Sequence, residues 1–416
     1  MSSWLANTIS EAEQVNDWLS PKRAESLALL KNTPWPNRKT EAWRYTPINV
    51  IERARFSAAN DTTVQAAAIE NLDSIDLVFV DGIFDAQAST DNFPEGLCIT
   101  QLSEGKNCDW ALDSFKKTKP NKHFFGLIND TLATSGCIID VAAAAKIEKP
   151  IRIVQSFSAG SQSHTRILVR VGPSAKLCVV EQLQGDELCF NTSFAEYDIG
   201  EAATLEHYRL AMQCQAAISI GGSHFSLAQS AQLTSNLIGF GSQLSRVDMD
   251  IIHAGEKAIS KLNVIYLLDG RELFDLHSSF EHTVAHGTSD QNIRCIVADH
   301  ANAVFNGRIH IHRDAQKILA SMNNRNLLMS DDAQVNTKPE LEIYADDVRC
   351  AHGVTIAEID EEAMFYLQSR GISRSDAQVM LSFGFINELV DQMPNIAIAD
   401  WLRPQLRNRF ANMEIR

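Results

Sequence analysis

Between about Gly136 and Gly353 the chain is a long succession of short β-rich runs with almost no helical periodicity. Clusters of Gly, Ser, Asp and Asn, which are typical turn residues, separate these runs. The runs read CIIDVA, IRIVQSF, RILVRV, KLCVVEQL, ISKLNVIYLL, IRCIVA, RIHIHR and LEIYA. A βαβ sheet is excluded because such a sheet needs a helix between successive strands.

Small residues lead into apolar runs at regular intervals within this stretch. The steps lie 28, 28 and 27 residues apart, at Ala175, Ala203, Ala231 and Ala258. A repeat of this length indicates stacked coils, each of which buries its apolar face against the next. Turn signals alone would also fit a sandwich or a barrel. The repeat therefore favours a parallel β-helix.

The two flanks of the β-rich stretch have a different character. We predict a mixed helical and extended region, a β-helix core and a C-terminal helical region over residues 1–130, 131–355 and 356–416. Pro21 divides the helical pattern of Glu11–Lys31 into two helices. The run Ile75–Phe84 predicts a strand that turns at Asp81-Gly82.

Capping signals mark the C-terminal helices. Asp360 is a suitable N-cap, Gly371 a suitable residue after the helix end, and Ser373 a suitable start for a second helix. Pro394 ends that second helix, and a third, short helix is predicted from about Ala399.

Composition restricts the partners and the compartment. The net charge of -15 disfavours nucleic acids and anionic membrane surfaces as partners. The first residues lack the basic start and apolar run of a secretory signal, and no apolar stretch is long enough to span a membrane, so we expect a cytoplasmic protein. The eight cysteines form no CxxC pair, and we expect most of them to be buried thiols.

Several segments resemble the SufB/SufD family of iron–sulfur cluster assembly proteins. The strongest resemblance covers DDVRCAHGVTIAEIDEEAMFYLQSRG at Asp346–Gly371, and weaker ones cover Ser279–Asn292, Phe305–Lys317 and Asn336–Val348. Two N-terminal segments, Arg38–Ile48 and Leu77–Phe84, are similar to the SufD branch rather than the SufB branch. The resemblance implies a mainly β protein, with a right-handed parallel β-helix between an N-terminal α/β region and a C-terminal helical region.

The same resemblance implies a scaffold rather than an enzyme. Its partners would be a SufB-like paralogue and a SufC-like ATPase, with a homodimer possible for the isolated chain. No cofactor would be bound stably, and an iron–sulfur cluster would form only transiently on the complex. Two alternatives stay open: a β-helix carbohydrate-active enzyme of the polysaccharide lyase kind, and a metal-free structural oligomer.

Cys350 and His352 are candidate metal ligands. On a strand they would project from one face, and thiolate and imidazole both bind iron. A cluster takes about four protein ligands, so the rest would come from another coil or another chain. The resemblance implies the SufB-like chain, since Cys350 and His352 match the family's C-x-H-G motif. The alternative is a buried core thiol beside a hydrogen-bonded strand-end histidine.

The apolar residues of Asp376–Met393 occupy more than one helical face, so this helix either lies inside the protein or docks onto a partner. The resemblance implies docking of the ATPase, with the candidate contacts Asp360, Phe365, Met380, Phe383, Phe385 and Leu389.

Other histidines give weaker signals. His282 and His286 lack the glutamate of an HExxH zinc motif, which favours a structural or solvated role. His310 and His312 lie two apart on a probable strand, as a one-sided ladder or a metal site. Neither a phosphate-binding GxxxxGK[ST] loop nor a GxSxG nucleophile elbow occurs.

Overall fold

The computed structural model describes residues 3–56, 68–185, 187–213 and 215–413. Its strands are β1 Ile75–Val80, β2 Ile83–Phe84, β3 Leu97–Gln101, β4 Ser135–Val141, β5 Ile151–Ser156, β6 Gln162–Val171, β7 Lys176–Gln184, β8 Phe190–Ile199, β9 Thr204–Ala211, β10 Ile218–Leu227, β11 Gln232–Phe240, β12 Leu244–His253, β13 Ile259–Leu268, β14 Leu273–His282, β15 Thr288–Val297, β16 Asn302–Ile311, β17 Ile318–Leu328, β18 Gln334–Ile343 and β19 Val348–Glu358. Its α-helices are α1 Ser3–Ala12, α2 Ser20–Asn32, α3 Asn49–Arg53, α4 Ala111–Ser114, α5 Phe124–Leu132, α6 Glu361–Ser369, α7 Arg374–Asp391 and α8 Ile396–Asn412. Two 3-10 helices lie at Glu41–Trp43 and Leu102–Asn107.

Successive strands from β4 onward alternate between two sheets. One sheet has the order β19-β17-β15-β13-β11-β9-β7-β5-β1-β2, and the other has the order β18-β16-β14-β12-β10-β8-β6-β4-β3. Neighbours from β4 to β19 pair in parallel, so each coil adds one strand to each sheet. This arrangement is a parallel β-solenoid of eight coils, and the predicted mainly β, parallel β-helix fold is confirmed.

The alanine steps of the sequence lie where one coil stacks on the next. Ala175, Ala203, Ala231 and Ala258 each directly precede a strand of one sheet, and all four are fully buried. Between the two sheets runs a continuous apolar core that includes Ile167, Phe225 and Phe305. A small side chain at each step lets successive backbones approach closely, which explains why alanine recurs at this point of successive coils.

Helices cover the outer faces of both sheets. The helices α7 and α8 pack on β7, β9, β11, β13 and β15 through a second apolar cluster that includes Ile238, Leu389 and Leu402. On the other sheet, α1 and α5 pack through a cluster that includes Phe125 and Phe190. These layers bury outward-facing apolar residues that a bare solenoid would expose to water.

The local predictions at the two flanks have different outcomes. Pro21 lies in the first turn of α2, and Asp81 and Gly82 form the turn between β1 and β2, both with positive φ. The third C-terminal helix is not short: α8 begins at Ile396 and has 17 residues. The prediction of a start near Ala399 was wrong because the Asn395 side chain caps this helix at the backbone N–H of Ile398.

The two ends of the solenoid differ. At the N-terminal end, the short antiparallel strands β2 and β3 close the sheets against β1 and β4. At the C-terminal end, β18 pairs only with β16 and β19 only with β17 among the described residues. The second end therefore presents two edge strands of 10 and 11 residues.

Candidate functional site

At the open C-terminal end of the solenoid, the last coil leaves the end of the apolar core exposed. The inward positions of β18 follow from its register with β16, whose Phe305 and Ile309 belong to the core. Those positions are occupied by Val335, Thr337, Pro339, Leu341 and Ile343. None of the ten residues of β18 and none of the eleven of β19 is buried. Long unpaired edges with apolar inward residues are sites where another chain adds strands.

Cys350 and His352 lie on this open edge. In the parallel register, Cys350 stacks on Ala320 and His352 stacks on Met322, and both of these partners belong to the buried core. The two side chains therefore share the inward face of β19, as the spacing of two residues predicts. Cys350 is half-buried against the core, and His352 is exposed.

The two candidate ligands have different electrostatic surroundings. Partial burial raises the pKa of the Cys350 thiol, and a backbone hydrogen bond from Ala320 opposes this only in part. The thiol is therefore neutral at physiological pH until a cation stabilises its thiolate form. Within the described residues, no cluster of three metal-ligating groups includes Cys350 or His352. A cluster on this edge would therefore need ligands beyond Cys350 and His352.

The residues predicted to dock a partner separate into three groups. Asp360 caps α6 by accepting hydrogen bonds from the backbone N–H groups of Glu362 and Ala363. Phe365 and Met380 are exposed, Phe365 to 73%. Tyr366, which the sequence did not single out, is exposed beside Phe365.

The other three aromatic and aliphatic residues on α7 take part in packing within the chain. Phe383 and Phe385 are half-buried, and the guanidinium groups of Arg407 and Arg294 lie over their rings. Leu389 is only 1% exposed and packs in the cluster beneath α7. A side chain that faces the solenoid does not touch a partner, so Leu389 is removed from the docking surface.

The remaining histidines and cysteines are placed as follows. His282 ends β14 in the core with Nε2 at 2.9 Å from the Ser289 hydroxyl, while His286 is exposed in a turn, so no zinc motif forms. Of the cysteines, three are buried, three are half-buried and Cys98 is exposed. Cys214 lies outside the described residues. The expectation of mostly buried thiols therefore holds for fewer cysteines than predicted.

A buried ionic cluster inside the solenoid was not predicted from the sequence. Glu181 Oε1 accepts from the Tyr197 and Ser223 hydroxyls at 2.8 and 2.7 Å, and Arg209 Nη1 lies 2.5 Å from Oε2. Burial would raise the pKa of Glu181, but Arg209 and His207 outweigh it and hold the pKa at about 2. Because the carboxylate is fully hydrogen-bonded, this cluster is structural.

Comparison with known proteins gives a consistent result. The family model "SUF system FeS cluster assembly, SufBD core domain" matches residues 153–385, and the "SufBD protein N-terminal region" matches residues 6–153. The Escherichia coli iron-sulfur cluster assembly protein SufD is 31% identical over 90% of this chain and 89% of its own length. A Synechocystis iron-sulfur cluster assembly SufBD family protein is 29% identical over 92% and 89%. An Arabidopsis thaliana protein, "Protein ABCI7, chloroplastic", is 28% identical over 95% and 89%.

None of the helices in the described ranges has the length and apolar character that crossing a membrane requires. The matched regions together span residues 6–385, and they include the edge strands and the Cys350–His352 segment. The chain belongs to the SufBD family of iron–sulfur cluster assembly proteins, and among its members it resembles SufD.

Proposed function

We propose that this chain is a non-catalytic scaffold subunit that acts in iron–sulfur cluster assembly together with a SufB-like paralogue and a SufC-like ATPase. The observation that carries the proposal is the open end of the solenoid, where no described residue pairs with the outer edges of β18 and β19. A sister chain with the same fold would continue both sheets and cover the exposed inward residues Ile343 and Ile356.

His352 and Cys350 support the cluster role because the same edge carries them. A sister subunit that pairs with β19 would bring its own ligands against their inward face. The two side chains then supply an imidazole and a thiol to a cluster whose other ligands come from the sister chain. The cluster is cargo of the complex rather than a resident group of this chain.

The C-terminal helices supply the proposed ATPase contact. Phe365, Tyr366 and Met380 lie exposed on two helices that pack against each other, α6 and α7. Large apolar side chains that remain exposed on a covering layer are typical of a protein–protein contact. A movement of the bound ATPase would be transmitted from α6 to the edge strand β19 through a very short connection, because α6 begins three residues after β19 ends.

The pairing is tested by placing a charge on the edge. We expect Ile356→Asp to weaken association with the paralogue by more than about tenfold, because the carboxylate would be buried without a partner. The matched control is Ile259→Asp: Ile259 is exposed to 47% and Ile356 to 48%, but Ile259 lies on β13 within the solenoid. The measurement is co-purification with the tagged paralogue and the mass of the complex by light scattering.

Two results would contradict the proposal. In one, the wild-type chain fails to bind the paralogue; in the other, both aspartate variants bind equally well. The isolated chain is expected to form a homodimer through the same edge, and Ile356→Asp should make it monomeric.

A further inference from the structure

A second group of metal-ligating side chains lies away from the edge strand that carries Cys350, on the outer face of the other sheet. Glu281 on β14 pairs directly in register with His310 on β16. Their neighbours Phe280 and Ile309 face the core, so Glu281 and His310 face outward. His312 follows the last residue of β16. One coil of the solenoid thus brings together residues that lie 29 positions apart in the chain.

The three side chains converge on one oxygen atom. Oε2 of Glu281 lies 2.7 Å from Nδ1 of His310 and 3.0 Å from Nε2 of His312. The three ligand atoms all lie within 4.8 Å of one another. The two imidazole rings stack with their centroids 4.3 Å apart. Ligands at right angles, each about 2.1 Å from a metal ion, lie about 3 Å apart, so these distances fit neighbouring positions around one ion.

Two contacts compete for one nitrogen atom of this group, Nδ1 of His310. Nη2 of Arg308 lies 2.8 Å from the same Nδ1 atom of His310. A guanidinium only donates, so Nδ1 can accept from Arg308 or donate to Glu281, but it cannot do both. When it accepts from Arg308, no proton lies between Nδ1 and the carboxylate oxygen Oε2, which is only 2.7 Å away. A cation shared by the nitrogen and the carboxylate oxygen removes that conflict.

Hydrogen bonds from neighbouring side chains orient the Glu281 carboxylate and keep it ionised, which favours binding of a cation. Arg308 donates to Oε1 of Glu281 and also holds both oxygens of Glu342, at 2.8 and 2.9 Å. Burial would raise the pKa of Glu281, but the hydrogen bonds from Arg308 and His312 outweigh it and lower the pKa. Arg308 thereby fixes Oε1, as outer hydrogen bonds do in metal sites, and Oε2 faces the ring nitrogens of His310 and His312, where a bound ion would take the place of a shared proton.

Solvent reaches the group, since His310 and Glu281 are half-buried and the His312 side chain is 43% exposed. An ion would therefore enter without unfolding the sheet and would keep water on its open side. Two imidazoles and one carboxylate with open positions form the ligand set that suits divalent iron and neighbouring first-row metals. Calcium and magnesium prefer oxygen ligands throughout, so this set disfavours both.

We propose that Glu281, His310 and His312 form a binding site for one divalent first-row transition-metal ion, separate from the Cys350–His352 edge. On binding, the Arg308 guanidinium leaves Nδ1 of His310 and keeps its contacts with the two carboxylates. This site needs no sister chain, because all three protein ligands come from one chain.

The test uses Co²⁺ as the probe, with the purified full-length chain. We expect one equivalent to bind by calorimetry, with visible absorption that lacks a thiolate charge-transfer band. His312→Ala and Glu281→Gln should each lower the Co²⁺ affinity by more than about tenfold, since each removes a direct ligand. All three side chains are at least partly exposed, so both variants should keep the wild-type melting temperature within a few degrees.

Two controls separate this site from others. His300→Ala removes an exposed histidine that lies 3.4 Å from a single carboxylate, Asp332, and should leave Co²⁺ binding unchanged. The double variant Cys350→Ala/His352→Ala should also bind as wild type does. The proposal is overturned if the wild-type chain binds no Co²⁺ at 100 times the protein concentration, or if His312→Ala and Glu281→Gln bind it as tightly as wild type. It is also overturned if binding disappears only in the double variant.

Discussion

At the scale of single residues, Cys350 and His352 have unequal roles in the proposed cluster site. His352 is exposed on the inward face of the edge, where an incoming chain meets it first. Cys350 is half-buried and its thiol pKa is raised, so it ionises only when a metal is already close. We therefore expect the imidazole to be the more important ligand.

The His352 contribution is tested with His352→Ala. We expect the complex with the paralogue and the ATPase to assemble as before, because an exposed side chain adds little to packing. The iron content of the isolated complex should fall at least about twofold, and Cys350→Ala should have a smaller effect. Iron analysis and visible absorption of anaerobically purified complexes provide the measurement. His286→Ala, at an exposed turn histidine, is the control; equal iron content in His352→Ala and His286→Ala would exclude the ligand role.

The sequence predicted the common face of Cys350 and His352 because that relation depends only on the period of a strand. It did not predict the contact of Glu281 with His310 and His312. That contact depends on the coil length at this point of the solenoid, which places Glu281 opposite His310. A search for acidic residues about one coil before the histidine pair would have found Glu281.

At the scale of elements, the caps of α6 and α7 were predictable, but the start of α8 and the buried faces of the helices were not. Asp360 and Ser373 cap α6 and α7 with the expected side-chain hydrogen bonds, and Gly371 has a φ of 85° after α6. These signals are local, so a single sequence contains them. The apolar width of α7 did not reveal which side meets the solenoid. Leu389 packs inward and Met380 points outward, which depends on contacts with distant strands.

The docking role of the helical layer is tested at Phe365. We expect Phe365→Asp to lower the affinity for the ATPase at least about tenfold while the melting temperature stays near that of the wild type. The control is Ile396→Asp, because Phe365 and Ile396 are both 73% exposed and Ile396 lies on α8. Titration calorimetry with the purified ATPase gives the affinities. Equal affinities for the two variants would move the docking surface elsewhere.

At the scale of the whole molecule, the sequence repeat determines the stack of coils, and the different strands at its two ends make the stack asymmetric. Coils of 26 to 29 residues stack in register from β7 to β16. The sequence therefore predicted the stack, but it could not show that, among the described residues, long parallel edge strands lie at one end and short antiparallel strands at the other. That asymmetry follows from β2 and β3 turning antiparallel at the start. It makes a pair of chains joined at one end the natural assembly, because two open ends of the same kind close each other.

The stacked core also gives the whole molecule a pH dependence. His253 and His282 are fully buried, and within the described residues their Nδ1 atoms lack hydrogen-bond partners. Burial lowers the pKa of His282 to about 4 and the pKa of His253 well below its usual value. Unfolded histidine has a pKa near 6.5, so below that pH the unfolded chain takes up protons that the folded chain does not. Stability contributed by these neutral imidazoles is present above pH 6.5 and is lost as the pH falls toward 4.

The expected loss is about 1.4 kcal/mol of unfolding free energy per pH unit from each of these two histidines. Urea unfolding at pH 7.5 and pH 5.0 measures it, and His282→Gln should reduce the difference between the two pH values by about 1 to 2 kcal/mol. The buried carboxylates of Glu181 and Asp248 have pKa values of about 2, so their contribution is lost below pH 4.5 and leaves this window unaffected. Burial raises the pKa of Glu272 to about 7, which stabilises the folded chain as the pH falls through the same window, so the decisive comparison is between wild type and His282→Gln. An equal loss in both chains would show that the folded core accepts a proton at His282, which the absence of a hydrogen-bond partner for Nδ1 among the described residues and the edge-to-face contact with the His253 ring at 4.4 Å make unfavourable.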